Sequence, residues 1–216
     1  MQQMQLLEYP KGVIMSFKES SNFGDTCNAT IKSSVEFNET VGMEGFYEAT
    51  CFDKDGNVKW SDRIDNLVMA VGKQLMLDTL LSGSSYSATA RMGLVSGASS
   101  PTYAAADTQA SHAGWLESGL ANAPTYSGNR PTATFSSATS TGSTPSNVTT
   151  KTTSSAVTFS ITGSGTVAGC FININGSATI DNTTGTLYSA GSFTAGNKTV
   201  SNGDTLSVTY STTATS

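Results

Sequence analysis

Asp107, Ser111 and His112 fall within six residues, in DTQASHAGW (107–115). An acid, a hydroxyl and an imidazole are the types that nucleophilic acyl transfer uses. Groups this close in sequence rarely reach the geometry of a triad, and no nucleophile elbow accompanies them. His112 is the one histidine of the chain, and it reads as a surface or packing residue beside Trp115. With one His and no CxxC pair, zinc has no ligand set. Glycoside hydrolysis needs two carboxylates across a cleft, and the later chain offers only Asp107, Glu117, Asp181 and Asp204. Asp204 sits in Asn-Gly-Asp, which a turn explains. DKDGN (53–57) resembles a calcium loop, but Gly56 comes fourth and Ile64 twelfth, where such a loop wants Gly sixth and Glu twelfth. No phosphate-cradling glycine motif occurs. The residues therefore predict no catalysis, no cofactor and no metal.

The elements that must position these residues are mostly strands. GFYEATCF alternates Phe46, Glu48, Thr50 and Phe52 against Tyr47, Ala49 and Cys51. Asp-Gly follows and then VKW, so a hairpin is expected over 45–60. A helix is expected over 66–81, capped by Asp65 or Asn66, with Leu67, Val68, Val71, Leu75, Leu77, Leu80 and Leu81 making its apolar stripe. Gly72 inside it costs about 1 kcal/mol against Ala, which implies a close backbone neighbour. Such a stripe has to cover something, and a sheet is the large partner available.

TARMGLVSG (89–97), PTATFSSA (131–138), SAVTFSIT (155–162), GTVAGCFINI (165–174), TGTLYSAGSFTA (184–195) and TLSVTYSTT (205–213) are strand-like. In the fourth, Val167 groups with Phe171 and Asn173 against Cys170, Ile172 and Ile174. TSTGSTPSNVTTKTTS (139–154) reads as a polar loop. The fold expected is mainly β: an antiparallel sandwich, jelly-roll-like, over 43–216, with one covering helix. Residues 1–42 read as an N-terminal arm. It lies either against its own body as edge strands or against a neighbouring chain.

Composition agrees with thin sheets. Hydrophobic residues are 37% and charged residues 12%, with Ser and Thr supplying much of the rest, a mixture suited to pleated surfaces and turns. The net charge is −5, so the basic footprint of a nucleic-acid binder is missing. Of 27 charged residues, eight lie beyond position 78. A surface so poor in charge suits contact with other protein. Cys27, Cys51 and Cys170 make an odd count at irregular spacing, read as free, partly buried thiols from a reducing compartment. No signal-peptide pattern or membrane-length apolar run is seen, so a soluble protein folded in a cytoplasm is expected. Trp60 and Trp115 are expected in the core, with an interface anchor as the alternative.

One ordered set of segments carries a resemblance. It comprises a hairpin ending in Lys59-Trp60, then Asp-Asn-Leu-Val (65–68) with Gly72 and Leu75, then GLVSG (93–97). DT…SHAGWLE (107–117), FSITGSGTVAGCF (159–171) and VSNGDTLSVTYS (200–211) complete it. Over residues 44–216 the chain resembles small virion proteins of tailed bacteriophages, closest to head decoration, or cement, proteins. The resemblance implies a sandwich or jelly-roll body without enzymatic activity. It further implies a place on the outer capsid surface, where trimers or dimers bind the major capsid protein and stabilise contacts between neighbours. A tail, fibre or head-to-tail adaptor component, binding another virion protein or a host receptor, is the alternative. Residues 1–42 match no part of that family. The aromatics Tyr9, Phe17, Phe23 and Phe37 within them are the expected partner-binding residues.

Overall fold

A computed structural model describes residues 42–81, 87–141 and 148–215. The arm's four aromatics and Cys27 lie outside the described residues. The hairpin forms as the Asp-Gly pattern requires. Strand β1 (Gly42–Phe52) pairs antiparallel with β2 (Val58–Val68). Asp53 closes the turn by accepting the N–H groups of Asp55 and Asn57 at 2.9 and 2.8 Å. Gly56 has a φ of +85°, a conformation that costs glycine nothing. Tyr47, Ala49 and Cys51 are the buried face of β1.

The helix starts later than its apolar spacing predicts. Helix α1 spans Ala70–Leu81, and Asp65 to Val68 belong to β2, so neither Asp65 nor Asn66 is a cap. The cause is ladder pairing. Asn66, Leu67 and Val68 sit opposite Gly191, Ala190 and Ser189 of β10 (Thr186–Phe193), and those tertiary bonds outweigh a weak local preference. Backbone carbonyls serve in place of a cap: Met69 donates to Tyr188 and Ala70 to Ala105, at 3.0 and 2.9 Å. Gly72 has the close neighbour expected. A Cβ there would lie 2.7 Å from the Tyr188 carbonyl oxygen. The far end of the predicted stripe is not buried, with Leu77 60% and Leu81 80% exposed.

Beyond the helix come β3 (Ala90–Ser96), β4 (Thr125–Tyr126), β5 (Thr132–Ala133), β6 (Thr139–Thr141) and β7 (Val148–Thr152). Then follow β8 (Val157–Gly163), β9 (Gly165–Ile174), β10, β11 (Lys198–Val200) and β12 (Thr205–Thr215). The polar stretch expected as a loop over 139–154 thus contributes β6 and β7. Thr suits a pleated surface, and β7 finds a partner in β12. Hydrogen-bonded neighbours run β4-β8-β12-β1-β2-β10-β9-β3-β5, with β11 on β9, β7 on β12 and β6 on β7. All strand pairs are antiparallel.

Strands from both ends of this order share one core. Tyr126, Phe159 and Ile161 of β4 and β8 join Met92, Leu94 and Ala133 of β3 and β5. The sheet therefore curls over on itself, and the fold is mainly β, antiparallel and sandwich-like, with a single helix among the described residues. A second cluster lies on the other side of β3, β9 and β10: Met69, Val95, Trp115, Ala168, Phe171, Leu187 and Ala190. Covered on both faces, β9 is buried from Val167 through Asn173, as a doubly packed strand must be. Its alternation differs from the expected one. An extra residue at Ala168 bulges β9 against Val95 and Ser96, so Val167 joins Cys170 and Ile172 in the first core rather than Phe171. Among the described residues no helix is long and apolar enough to cross a membrane.

Candidate functional site

The polar groups gather where the loop after β3 meets the loop after β9. Ser96 donates to the Leu116 carbonyl and Ser118 to the Leu94 carbonyl, both at 2.8 Å. This short pairing turns Leu116 outward and Glu117 inward. Glu117 meets Arg130 there: Nε donates to Oε1 at 2.7 Å and Nη2 to Oε2 at 2.5 Å. Both side chains are essentially out of water, at 2% and 0% exposed. Arg130 also donates to the carbonyls of Ser177 and Asn182, and Oε2 of Glu117 accepts the Asp181 N–H at 2.8 Å. Two opposite charges and their hydrogen bonds thus pin the loops together.

The residues first suspected of chemistry are placed differently. His112 stacks on Trp115, with ring centroids 3.8 Å apart and an angle of 19°. Its Nδ1 lies 3.1 Å from the Trp115 carbonyl oxygen. A carbonyl only accepts, so Nδ1 carries the hydrogen and Nε2 presents a lone pair in the neutral ring. Asp107 is turned to other partners, accepting the Trp115 indole N–H at 3.3 Å and the Ala104 N–H at 3.1 Å. The Ser111 N–H is bonded to Thr108. Trp115 is in the core at 1% exposed. Trp60 is half-buried, with its indole N–H on the Thr199 carbonyl and its ring edge-on to Phe193.

A directional chain runs beneath the ion pair. The Thr184 carbonyl accepts from Asn173 Nδ2 at 3.0 Å, and Asn173 Nδ2 donates to Gln109 Oε1 at 2.7 Å. The first bond fixes which way Asn173 faces, and the second then fixes Gln109. The Gln109 amide nitrogen is left with one long contact, 3.5 Å to the Asn182 carbonyl, which Arg130 already serves at 2.9 Å. Gln109 is 2% exposed. It lines a cleft of about 110 Å³ with His112, Leu116, Asn122, Asp181 and Asn182. Asp181 stands there with a left-handed backbone, φ +61°, unusual for a residue with a side chain.

Asp204 does more than close its turn. It accepts the Ser201 N–H at 2.7 Å and Lys59 Nζ at 2.5 Å, and the Cys51 thiol lies 3.7 Å away. Burial pushes its carboxyl up, but the Lys59 and Ser201 hydrogen bonds outweigh that and hold it below the usual carboxylate range. Burial, then the Asp204 charge, push the Cys51 thiol up to about 11. Burial alone pushes Cys170 up as well. Both cysteines are free and buried, so neither is an exposed nucleophile. Among the described residues no three of His, Cys, Asp and Glu gather as a metal site.

Sequence reasoning singled out Glu117 and Asp204 as carboxylates but missed Arg130, Lys59, Gln109 and Asn173. One signal was present: Glu117 and Arg130 are two of only eight charges beyond position 78. No family model, curated protein or solved structure matches this chain. Fold and site together define a mainly β, antiparallel protein, with one helix among the described residues, whose central polar cluster is built into the packing.

Proposed function

We propose that this chain is a non-enzymatic structural protein of a tailed-bacteriophage particle, a capsid decoration subunit that binds the major capsid protein from outside and steadies contacts between neighbours. The observation that carries this reading is the outward side of β8, β12, β1 and β2. In register across these strands lie Thr158, Ser207, Thr50 and Ser61, with Glu48 opposite Arg63 one rank away. It is a broad face of hydroxyls that also carries Phe46 and Phe52, with Arg63 over the Phe46 ring and paired to Asp65 at 2.9 Å. Such a surface suits wide, shallow protein contact, where many weak polar bonds repeat over a shell. Three of the four candidate carboxylates point the same way: Glu117, Asp107 and Asp204 are spent on internal bonds.

Repetition explains why modest contacts suffice. A subunit bridging two capsid proteins adds its interface energy at every equivalent position of a closed shell. A trimer is the favoured state, since its three faces would engage neighbouring capsomers together. The test is reconstitution. Purified chain added to shells lacking it should sediment with them to a saturating ratio and raise their melting temperature. Shells that neither retain the chain nor gain stability would overturn the proposal.

A further inference from the structure

The cleft beside the Glu117–Arg130 pair has chemistry that packing does not use. Among the described residues, its unpaired groups include an acceptor, a donor and a ring edge. The acceptor is the Asp181 carboxylate. Its backbone is fixed twice, by the bond from its N–H to Glu117 and by the left-handed turn. The donor is the Gln109 amide, nine-tenths buried, oriented by Asn173, and underused at 3.5 Å. The ring is His112, held flat on Trp115 with Nε2 left as an acceptor. Leu116, 44% exposed, adds an apolar wall.

These groups discriminate between ligand classes. The Glu117 charge is neutralised by Arg130, which leaves the Asp181 carboxylate as the cleft's unpaired charge among the described residues and disfavours phosphate or carboxylate ligands. An ammonium or guanidinium group would satisfy Asp181 and the His112 Nε2, but it only donates and would leave the Gln109 N–H without an acceptor. A hydroxyl both donates and accepts. Two adjacent hydroxyls on one ring can donate to Asp181 and accept from Gln109 while the ring's C–H face lies on Leu116 and the imidazole. The volume, about 110 Å³, is far below the roughly 300–1,000 Å³ of a drug-sized pocket, so one small ring is the scale.

We infer that the Gln109–His112–Asp181 cleft binds a vicinal diol of a neutral pyranose, a single sugar unit at the end or side of a glycan. The inference goes beyond the capsid reading and does not rest on it. The full chain in isolation is tested, with methyl α-glucoside, α-galactoside and α-mannoside as probes and n-butylammonium as the cationic competitor. Amide chemical shifts are followed in a titration of each. At least one glycoside should saturate in the millimolar range and move the signals of Gln109, His112 and Asp181–Thr183. Asp181→Gly keeps the left-handed turn and removes the acceptor; it should weaken binding about tenfold or more without altering the rest of the spectrum. Three results would each overturn the inference. They are no glycoside saturating by about 100 mM, far weaker than a millimolar Kd; undiminished binding by Asp181→Gly; or n-butylammonium occupying the same residues more tightly than any glycoside.

Discussion

Glu117 and Arg130 hold two opposite charges away from water, and each is a liability without the other. Glu117→Ala leaves a buried guanidinium, and Arg130→Ala a buried carboxylate. Each is expected to cost about 3–5 kcal/mol, read as a shift in a urea melt. The double change Glu117→Leu with Arg130→Met removes both charges and should recover a large part of that loss. If the double variant is as unstable as the sum of the singles, the pair is not the coupled unit its geometry describes. Asp204 allows a test in pH. Its carboxyl, like that of Asp62 with Lys198 close by, is held below its ordinary value of about 3.9. A depressed carboxylate contributes stability above that pH and loses it as pH falls through the folded value. Wild type should therefore exceed Asp204→Asn in thermal stability at neutral pH, and the gap should narrow below about pH 4. A gap that is constant with pH would contradict the Lys59 pairing. At this scale the sequence was partly legible. Carboxylate positions can be listed from types alone. Their partners cannot, because Glu117 and Arg130 are 13 residues apart in a loop with no period, and Lys59 and Asp204 are 145 apart.

Elements show where local pattern and tertiary context part. Gly72→Ala raises intrinsic helix propensity by about 1 kcal/mol, yet its Cβ would press on the Tyr188 backbone at 2.7 and 3.0 Å. Backbone cannot step aside as a flexible side chain can, so the change is expected to destabilise despite the better helix former. Thermal unfolding of the variant decides it, and a raised midpoint would show α1 packing more loosely on β10. Period-2 alternation made β1, β8 and β12 readable, since each has one face in the core and one outside. Asp-Gly made the first hairpin readable through its turn chemistry. The helix start was not readable, because Asn66–Val68 fit both an apolar helical spacing and a ladder with β10, and the ladder's partners lie over 120 residues away. Strands β6 and β7 were hidden by their Ser and Thr content, which marks loops as often as pleated surfaces. The β9 bulge left no sequence mark beyond two glycines.

At the scale of the molecule, the curled sheet explains how the described residues, with few charges, pack two hydrophobic clusters and still turn a hydroxyl-lined side outward. On the proposed reading that side meets the capsid, and residues 1–42, with Tyr9, Phe17, Phe23 and Phe37, grip adjacent subunits. Removing 1–42 should leave the melting behaviour of the β body intact and abolish retention on shells in a sedimentation assay. Normal retention of the shortened chain would place attachment on the sheet alone. The most direct measurement is the number of copies of this chain per mature particle, by quantitative mass spectrometry against the major capsid protein. A decoration subunit predicts a ratio fixed by shell symmetry, on the order of hundreds of copies. A handful of copies, or none, would contradict it.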